Sequence, residues 1–205
     1  FMSIGDRAAR NKAQDLSVHH GKIVRLNKDG STPKDNPFVG QSGVLGSIYS
    51  YGHRNPQGLS FYQGQLWEAE FGPRGGDEIN KIEKGANYGW PVITYGKEYW
   101  GPKIGPTHQK GMKQPFYYYT PSISPSGLLF YKGAYFKEWQ GNLFLACLSS
   151  RHLRRVETAS NQVIGEEELL KEKKWRIRQV KSSPKGLIYF STDANGLYRI
   201  VKKIR

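Results

Sequence analysis

Residues 175–203 read WRIRQVKSSPKGLIYFSTDANGLYRIVKK. Three short apolar runs, Arg176 to Lys181, Gly186 to Ser191 and Gly196 to Ile200, are divided by two strong turn sequences, Ser183-Pro184-Lys185-Gly186 and Asp193-Ala194-Asn195-Gly196. Runs of this length between such turns predict β-strands. Just upstream, GNLFLACLSSRHLRRVET at 141–158 predicts a strand, a turn and a strand. Further runs stand at Lys22 to Leu26, Gly64 to Glu70 and Leu128 to Tyr131. Asp6, after Ser3-Ile4-Gly5, and Asp193, after Phe190-Ser191-Thr192, read as one position of a repeating unit. Propeller blades take about 40–50 residues, so the 205 residues supply about four. The expected fold is all-β, with residues 1–205 forming a single partial β-propeller domain.

Helical periodicity is scarce. Residues 165–174 (GEEELLKEKK) are rich in helix formers but short, and predict a charged loop or one turn between strands. Two long irregular stretches, 29–45 and 91–125, hold Gly, Pro, Tyr and Trp, and long loops in a compact fold are often functional.

Composition agrees with this reading. Aromatic residues make up 13% of the chain and there are 24 glycines, which suit pleated surfaces and tight turns respectively. The net charge of +14 would attract polyanions. The basic residues are scattered, however, and even the densest groups, 151–155, 171–174 and 202–205, fit no zinc-finger, RRM or helix-turn-helix pattern. They predict a solvated basic surface, not a nucleic-acid partner. The single cysteine, Cys147, lies in an apolar run; it excludes an internal disulfide and predicts a buried, inert thiol. No stretch reaches the roughly 20 apolar residues that a transmembrane helix needs.

Chemistry concentrates between Ser50 and Pro91. His53-Arg54-Asn55-Pro56-Gln57-Gly58 places an imidazole, a guanidinium and a carboxamide in a turn bounded by Gly and Pro. The guanidinium fork suits carboxylates and the amide both donates and accepts. Such a group of residues serves either a polar, anionic ligand or simply a well-bonded turn. Next, Glu68-Ala69-Glu70-Phe71-Gly72-Pro73-Arg74-Gly75-Gly76-Asp77-Glu78 sets several carboxylates beside flexible backbone. Calcium takes carboxylate and carbonyl oxygens together, though this is no EF-hand loop.

These two segments, followed by Ile79-Asn80 and by Asn87-Tyr88-Gly89-Trp90-Pro91, resemble the signature of aldose sugar dehydrogenases dependent on pyrroloquinoline quinone (PQQ), relatives of soluble quinoprotein glucose dehydrogenase. Ser3-Ile4-Gly5-Asp6, Gly21 to Leu26, Asp35 to Phe38, Pro121 to Gly127, Arg176-Ile177-Arg178 and Ser183 to Tyr189 follow in the same order, so the resemblance spans the chain. It implies a six-bladed propeller, of which this chain is the C-terminal part. It implies a cofactor in the central channel, PQQ with calcium, and oxidation of aldose sugars at C1 to lactones, with electrons passed to an external acceptor. By resemblance, Arg54 and Asn55 contact PQQ, and Arg176 and Arg178 pair with its carboxylates. The carbonyls of Gly72 and Pro73 bind the calcium on the cofactor. Glu78 and the Tyr88 carbonyl bind a structural calcium. The two-residue spacing of Arg176 and Arg178 puts both on one face of a strand. Residence in the periplasm or outside the cell is implied as well.

The match has gaps. The family's catalytic base is a histidine upstream of Ser3-Ile4-Gly5-Asp6, outside this sequence; Asp6 matches the carboxylate that orients it. None of the five histidines takes that place, and His53 reads as structural. A lysine that contacts PQQ in soluble glucose dehydrogenase falls near Ser149. An arc of about four blades leaves edges that need cover, either a dimer or the N-terminal blades. Two readings follow: a sugar-oxidising quinoprotein, or a propeller fragment that binds calcium, PQQ or sugar without turnover.

Overall fold

A computed structural model describes residues 1–194 and 196–202; Asn195, inside the predicted 193–196 turn, and residues 203–205 of the basic tail lie outside them. The strands are β1 (Met2–Ile4), β2 (Lys22–Val24), β3 (Ile48–Tyr51), β4 (Pro56–Tyr62), β5 (Gln65–Glu70), β6 (Asp77–Ile82) and β7 (Tyr117–Tyr119). They continue as β8 (Pro125–Phe130), β9 (Leu143–Cys147), β10 (Leu153–Ala159), β11 (Gln162–Leu169), β12 (Ile177–Ser182), β13 (Ile188–Thr192) and β14 (Gly196–Arg199). These form four antiparallel sheets in chain order, β1-β2-β3, β4-β5-β6-β7, β8-β9-β10-β11 and β12-β13-β14. Each sheet pairs only neighbours in sequence, so each is a meander and a blade, and the expected count of about four holds.

Consecutive blades pack face to face. Ile23 of the first meets Leu66 and Ile82 of the second. Trp67, Ala69 and Ile79 of the second meet Leu128, Leu145 and Val156 of the third. Phe144 and Ala146 of the third meet Ile177, Val180 and Phe190 of the fourth. Strand β9 shows how the sequence encodes this. Its unbroken apolar run, Leu-Phe-Leu-Ala-Cys, is buried at every position. With a period of two, Leu143, Leu145 and Cys147 enter one core while Phe144 and Ala146 enter the next. Cys147 is thus sealed, and burial pushes its thiol up to about 12, as expected for an inert residue.

The 165–174 segment differs from its expectation. Residues up to Leu169 continue β11, and only Lys171–Lys173 form a single 3-10 turn. The cause is charge across the ladder: Arg154 pairs with Glu166 and Glu168, and Arg155 with Glu167 at 2.7 Å. The acidic run therefore has a basic strand to lie on. As the outermost strand of its blade, β11 also gains a charged edge that resists further pairing.

The inner strands β4, β8 and β12 approach one another closely, and β8 packs against both of the others. A Cβ on Gly58 would sit 2.8 Å from the Leu128 side chain, and one on Gly127 would sit 3.0 Å from both Gln179 Cα and Val180 N. Each inner strand carries an irregularity near its first residue, at Pro56/Gly58, Pro125/Gly127 and Ile177/Gln179. The three strands therefore begin at the same end of the molecule. Ser126 pins this end by sharing its one hydroxyl hydrogen between the carbonyls of Ile177 (2.9 Å) and Ala146 (3.1 Å). Gly127→Ala is expected to destabilise the fold by about 1–3 kcal/mol, since the added methyl meets backbone that cannot step aside. Urea unfolding should show a lower midpoint; an unchanged midpoint would mean that β8 and β12 have room to part.

Candidate cofactor cavity and metal centre

The start of β4 borders a cavity of about 670 Å³, within the usual range for small-molecule sites. Asp6, Arg54, Asn55 and Pro73 all line it, with Arg10, Trp90 and Tyr99. Trp90 organises one wall. Its Nε1–H donates to Asp6 Oδ2 at 2.8 Å, and the guanidinium groups of Arg10 and Arg54 lie 5.6 and 5.5 Å from its ring centre. Asp6 Oδ1 accepts the Ala8 amide at 3.0 Å. Arg10 is committed to Glu98, whose carboxyl it holds below the usual range.

Arg54 is held on both sides. Its backbone N–H donates to Glu70 Oε2 at 2.6 Å, and Nη1 donates to the carbonyls of Phe71 (3.1 Å) and Gly72 (2.7 Å). Asn55 offers its backbone N–H to the same Glu70 oxygen, while its side-chain oxygen accepts from Gln57. One buried carboxylate thus fixes the entry to β4.

The Gly72–Gly76 turn is built on a second buried carboxylate, Asp77. Its Oδ1 accepts the Gly72 amide at 2.8 Å; its Oδ2 accepts the amides of Ile123 and Ser124 and the Ser122 hydroxyl, each at 2.7 Å. Burial raises the Asp77 carboxyl despite these donors. Gly72 has no room for a side chain: a Cβ would lie 2.2 Å from the Gly75 carbonyl oxygen.

Behind the cavity, Glu68, Glu70, Glu78 and Asn80 face one another across β5 and β6, with Glu68 opposite Asn80 and Glu70 opposite Glu78. Asn80 Nδ2 reaches Glu68 (3.1 Å), Glu70 (3.2 Å) and Glu78 (3.3 Å). An amide has only two hydrogens, so three acidic groups compete for them. Burial, and after it Glu70, push the Glu68 and Glu78 carboxyls well up. Glu68 Oε1 and Asn80 Oδ1 are buried without a partner. Ligand atoms of His53, Glu68 and Glu70 lie within 4.8 Å of one another. Buried, unspent oxygens of this kind suit a cation. His53 bonds Glu70 Oε1 (3.2 Å) and Ser50 Oγ (2.9 Å) and stacks on Tyr88 with ring centres 4.7 Å apart, a structural role.

The residues singled out in the sequence fall in three places. Asp6, Arg54, Asn55 and Pro73 share the cavity. Gly72, Glu78 and Tyr88 line a narrow recess beside it, together with Glu70. Arg176 and Arg178 stand at the start of β12, outside the cavity lining but at the same end as Arg54 and Asn55. Both guanidinium groups reach the carboxylate of Asp193, at 2.9 and 2.8 Å, so they do share a face. Ser149 donates to the Ser122 carbonyl. Asn80, Glu68 and Glu70 join this cluster although none is among the candidate ligands named from the sequence. Their signal was two i, i+2 pairs, Glu68/Glu70 and Glu78/Asn80, on strands that turn out to be paired.

Comparison with known proteins follows the same line. Residues 1–201 match the family described as Glucose / Sorbosone dehydrogenase. Aldose sugar dehydrogenase YliI of Escherichia coli is 40% identical over 198 residues, which cover 94% of this chain and 53% of that protein. A crystal structure of a glucose dehydrogenase superposes with a TM-score of 0.94 at 41% identity, over 98% of this chain and 60% of the other. The PQQ-bound aldose sugar dehydrogenase of Streptomyces coelicolor gives 0.73 at 29% identity, over 94% and 52%. The chain therefore spans about half the length of the curated relatives it matches over most of its own length.

Proposed function

Because the chain belongs to the glucose/sorbosone dehydrogenase family, we propose that it builds one side of the cofactor cavity of an enzyme that oxidises aldose sugars at C1 to lactones, using PQQ and calcium and an external electron acceptor. The observation that supports this most directly is the single cavity shared by Asp6, Arg54, Asn55 and Pro73, with the Gly72 carbonyl against Arg54. Residence in the periplasm or outside the cell goes with this reading; among the described residues no helix is long and apolar enough to cross a membrane.

The residues present fit both groups. Arg54, Asn55, Arg176 and Arg178 would hold the carboxylates and carbonyls of PQQ, and the Gly72 and Pro73 carbonyls would hold its calcium. Glu78 and the Tyr88 carbonyl would hold a second calcium, beside the unpartnered oxygens of Glu68 and Asn80. When bound, PQQ would supply the hydride acceptor and calcium the Lewis acid. The chain's own work is to bind and orient. Arg54, whose Nη1 donates to the Gly72 carbonyl, would be free to turn toward an anionic ligand if that oxygen were given to a cation. Asp6, fixed by the Trp90 N–H, presents a carboxylate that can hold an imidazole in one tautomer.

A second reading has one observation in its favour: among the described residues, no histidine lines the cavity. The chain would then bind PQQ and calcium without turnover. Titrating the purified chain with PQQ, with and without calcium, followed by glucose, separates the two by absorbance. Saturable calcium-dependent binding with reduction on adding sugar is the result expected for the enzyme. Binding without reduction selects the second reading, and no binding overturns both.

A further inference from the structure

A second concavity, of about 450 Å³, opens at the other end of the inner strands. Pro56 borders the first cavity and Tyr62 the second, six steps along β4, or roughly 20 Å at about 3.3 Å per residue. Its wall is aromatic and continuous. Tyr62 stacks on Phe130 with ring centres 4.4 Å apart, Phe130 meets Trp67 at 4.8 Å, and Trp67 meets Phe116 at 5.0 Å. Tyr62 and Phe116 are only half-buried, so the wall has an open face.

Two hydrogen-bond donors in this groove are unspent. Trp67 is only 6% exposed, yet its Nε1–H has no partner, although a buried indole usually finds one. The Lys81 ammonium lies over the rings of Trp67 (4.8 Å) and Phe116 (5.0 Å) and forms no ion pair among the described residues. Burial alone lowers its pKa, with no anion to offset it. No carboxylate lines the groove. Its rim carries Gln63, Gln140, Ser160 and Asn161, neutral groups that donate and accept.

This combination specifies its occupant. A flat apolar face fits the aromatic wall, several hydroxyls fit the rim, and one negative charge fits Lys81 and the indole N–H. A phosphate or nucleotide would want more cations than one. We propose that the groove between the second and third blades binds a carboxylate-bearing pyranose, a uronic acid unit, separately from the cavity at the opposite end. Lys81, on a flexible stem across the indole, swings from the rings to the carboxylate. The site is independent of the proposed sugar oxidation.

The test uses methyl β-D-glucuronide, whose blocked anomeric oxygen removes it as a substrate for oxidation at C1. Titrated into the ¹⁵N-labelled chain, it should move the Trp67 indole N–H resonance saturably, while methyl β-D-glucoside and acetate bind at least tenfold more weakly. Lys81→Met, which keeps the stem and removes the charge, should weaken glucuronide binding about tenfold or more. Thr158→Trp, which fills the groove from its rim, should abolish binding with the fold intact. The proposal fails if the glucuronide does not bind, if it shifts other resonances but not that of Trp67, if acetate binds equally well, or if Lys81→Met leaves the affinity unchanged.

Discussion

Asp77→Ala is expected to lower the stability of the chain by about 3–5 kcal/mol, a cost typical of removing one member of a buried, charged hydrogen-bond cluster. The side chain is fully buried and serves four donors at once. Alanine would leave the amides of Gly72, Ile123 and Ser124 facing apolar surroundings. It would also release Ser124 from a left-handed backbone conformation, φ 52°, that a non-glycine residue holds only under constraint. Asp77→Asn keeps an acceptor for some of these donors and should cost roughly half as much. Urea unfolding with an unchanged slope gives the difference directly. A loss below about 1 kcal/mol for the alanine variant would mean that water or a neighbour takes over the orphaned amides. Because Asp77 also fixes the Gly72 turn, the same variant should loosen calcium-dependent PQQ binding.

Replacing both Arg176 and Arg178 with alanine should weaken PQQ binding at least tenfold, because losing even one charged hydrogen bond costs about 1.5–3 kcal/mol. Both side chains are nearly half exposed, and among the described residues their partners are the carboxylate of Asp193, which they share, and, for Arg176, the Leu148 carbonyl. Stability should therefore change little, which keeps the binding result interpretable. Arg176 first, then Arg178, hold the Asp193 carboxyl below its usual range; an anionic ligand must compete with that carboxylate. Asp193→Asn is accordingly expected to tighten PQQ binding, in the opposite direction to the arginine variants. Equal PQQ affinity in the double-arginine variant and the parent, measured by absorbance titration with calcium, would remove these residues from the site.

The sequence announced some blades far more clearly than others. Residues 141–158 and 176–192 were legible because β9, β12 and β13 carry apolar runs between turn residues. Strand β6, Asp77–Ile82, was hidden: its Asp-Glu-Ile-Asn-Lys-Ile reads as polar surface, yet Asp77 and Asn80 are buried. Its hydrophobic signal is exchanged for a hydrogen-bonded acid cluster that only the paired strand β5 explains. Pro56 and Gly58 punctuate β4 and predict a turn; in the structure they begin an inner strand and let β8 come close. A short repeat also links two blades. Pro56-Gln57-Gly58-Leu59 recurs as Pro125-Ser126-Gly127-Leu128, and both start an inner strand with the same irregularity. Motifs in the sequence led to Asp6, Arg54 and Asn55. Trp90, which ties Asp6 to the cavity wall, is distant in sequence from both Asp6 and Arg54, and no local pattern could join them.

The fully buried run of β9 has a consequence for how the molecule comes apart. Leu145 and Phe144 are consecutive residues, yet they belong to different cores. Neither core can open without pulling on the strand that seals the other. The third blade is therefore a mechanical coupler, and its neighbours should lose structure in concert with it rather than one at a time. Amide hydrogens of β9 should exchange with solvent only through global opening, while those of β11, at the charged outer edge, should exchange through local fraying long before.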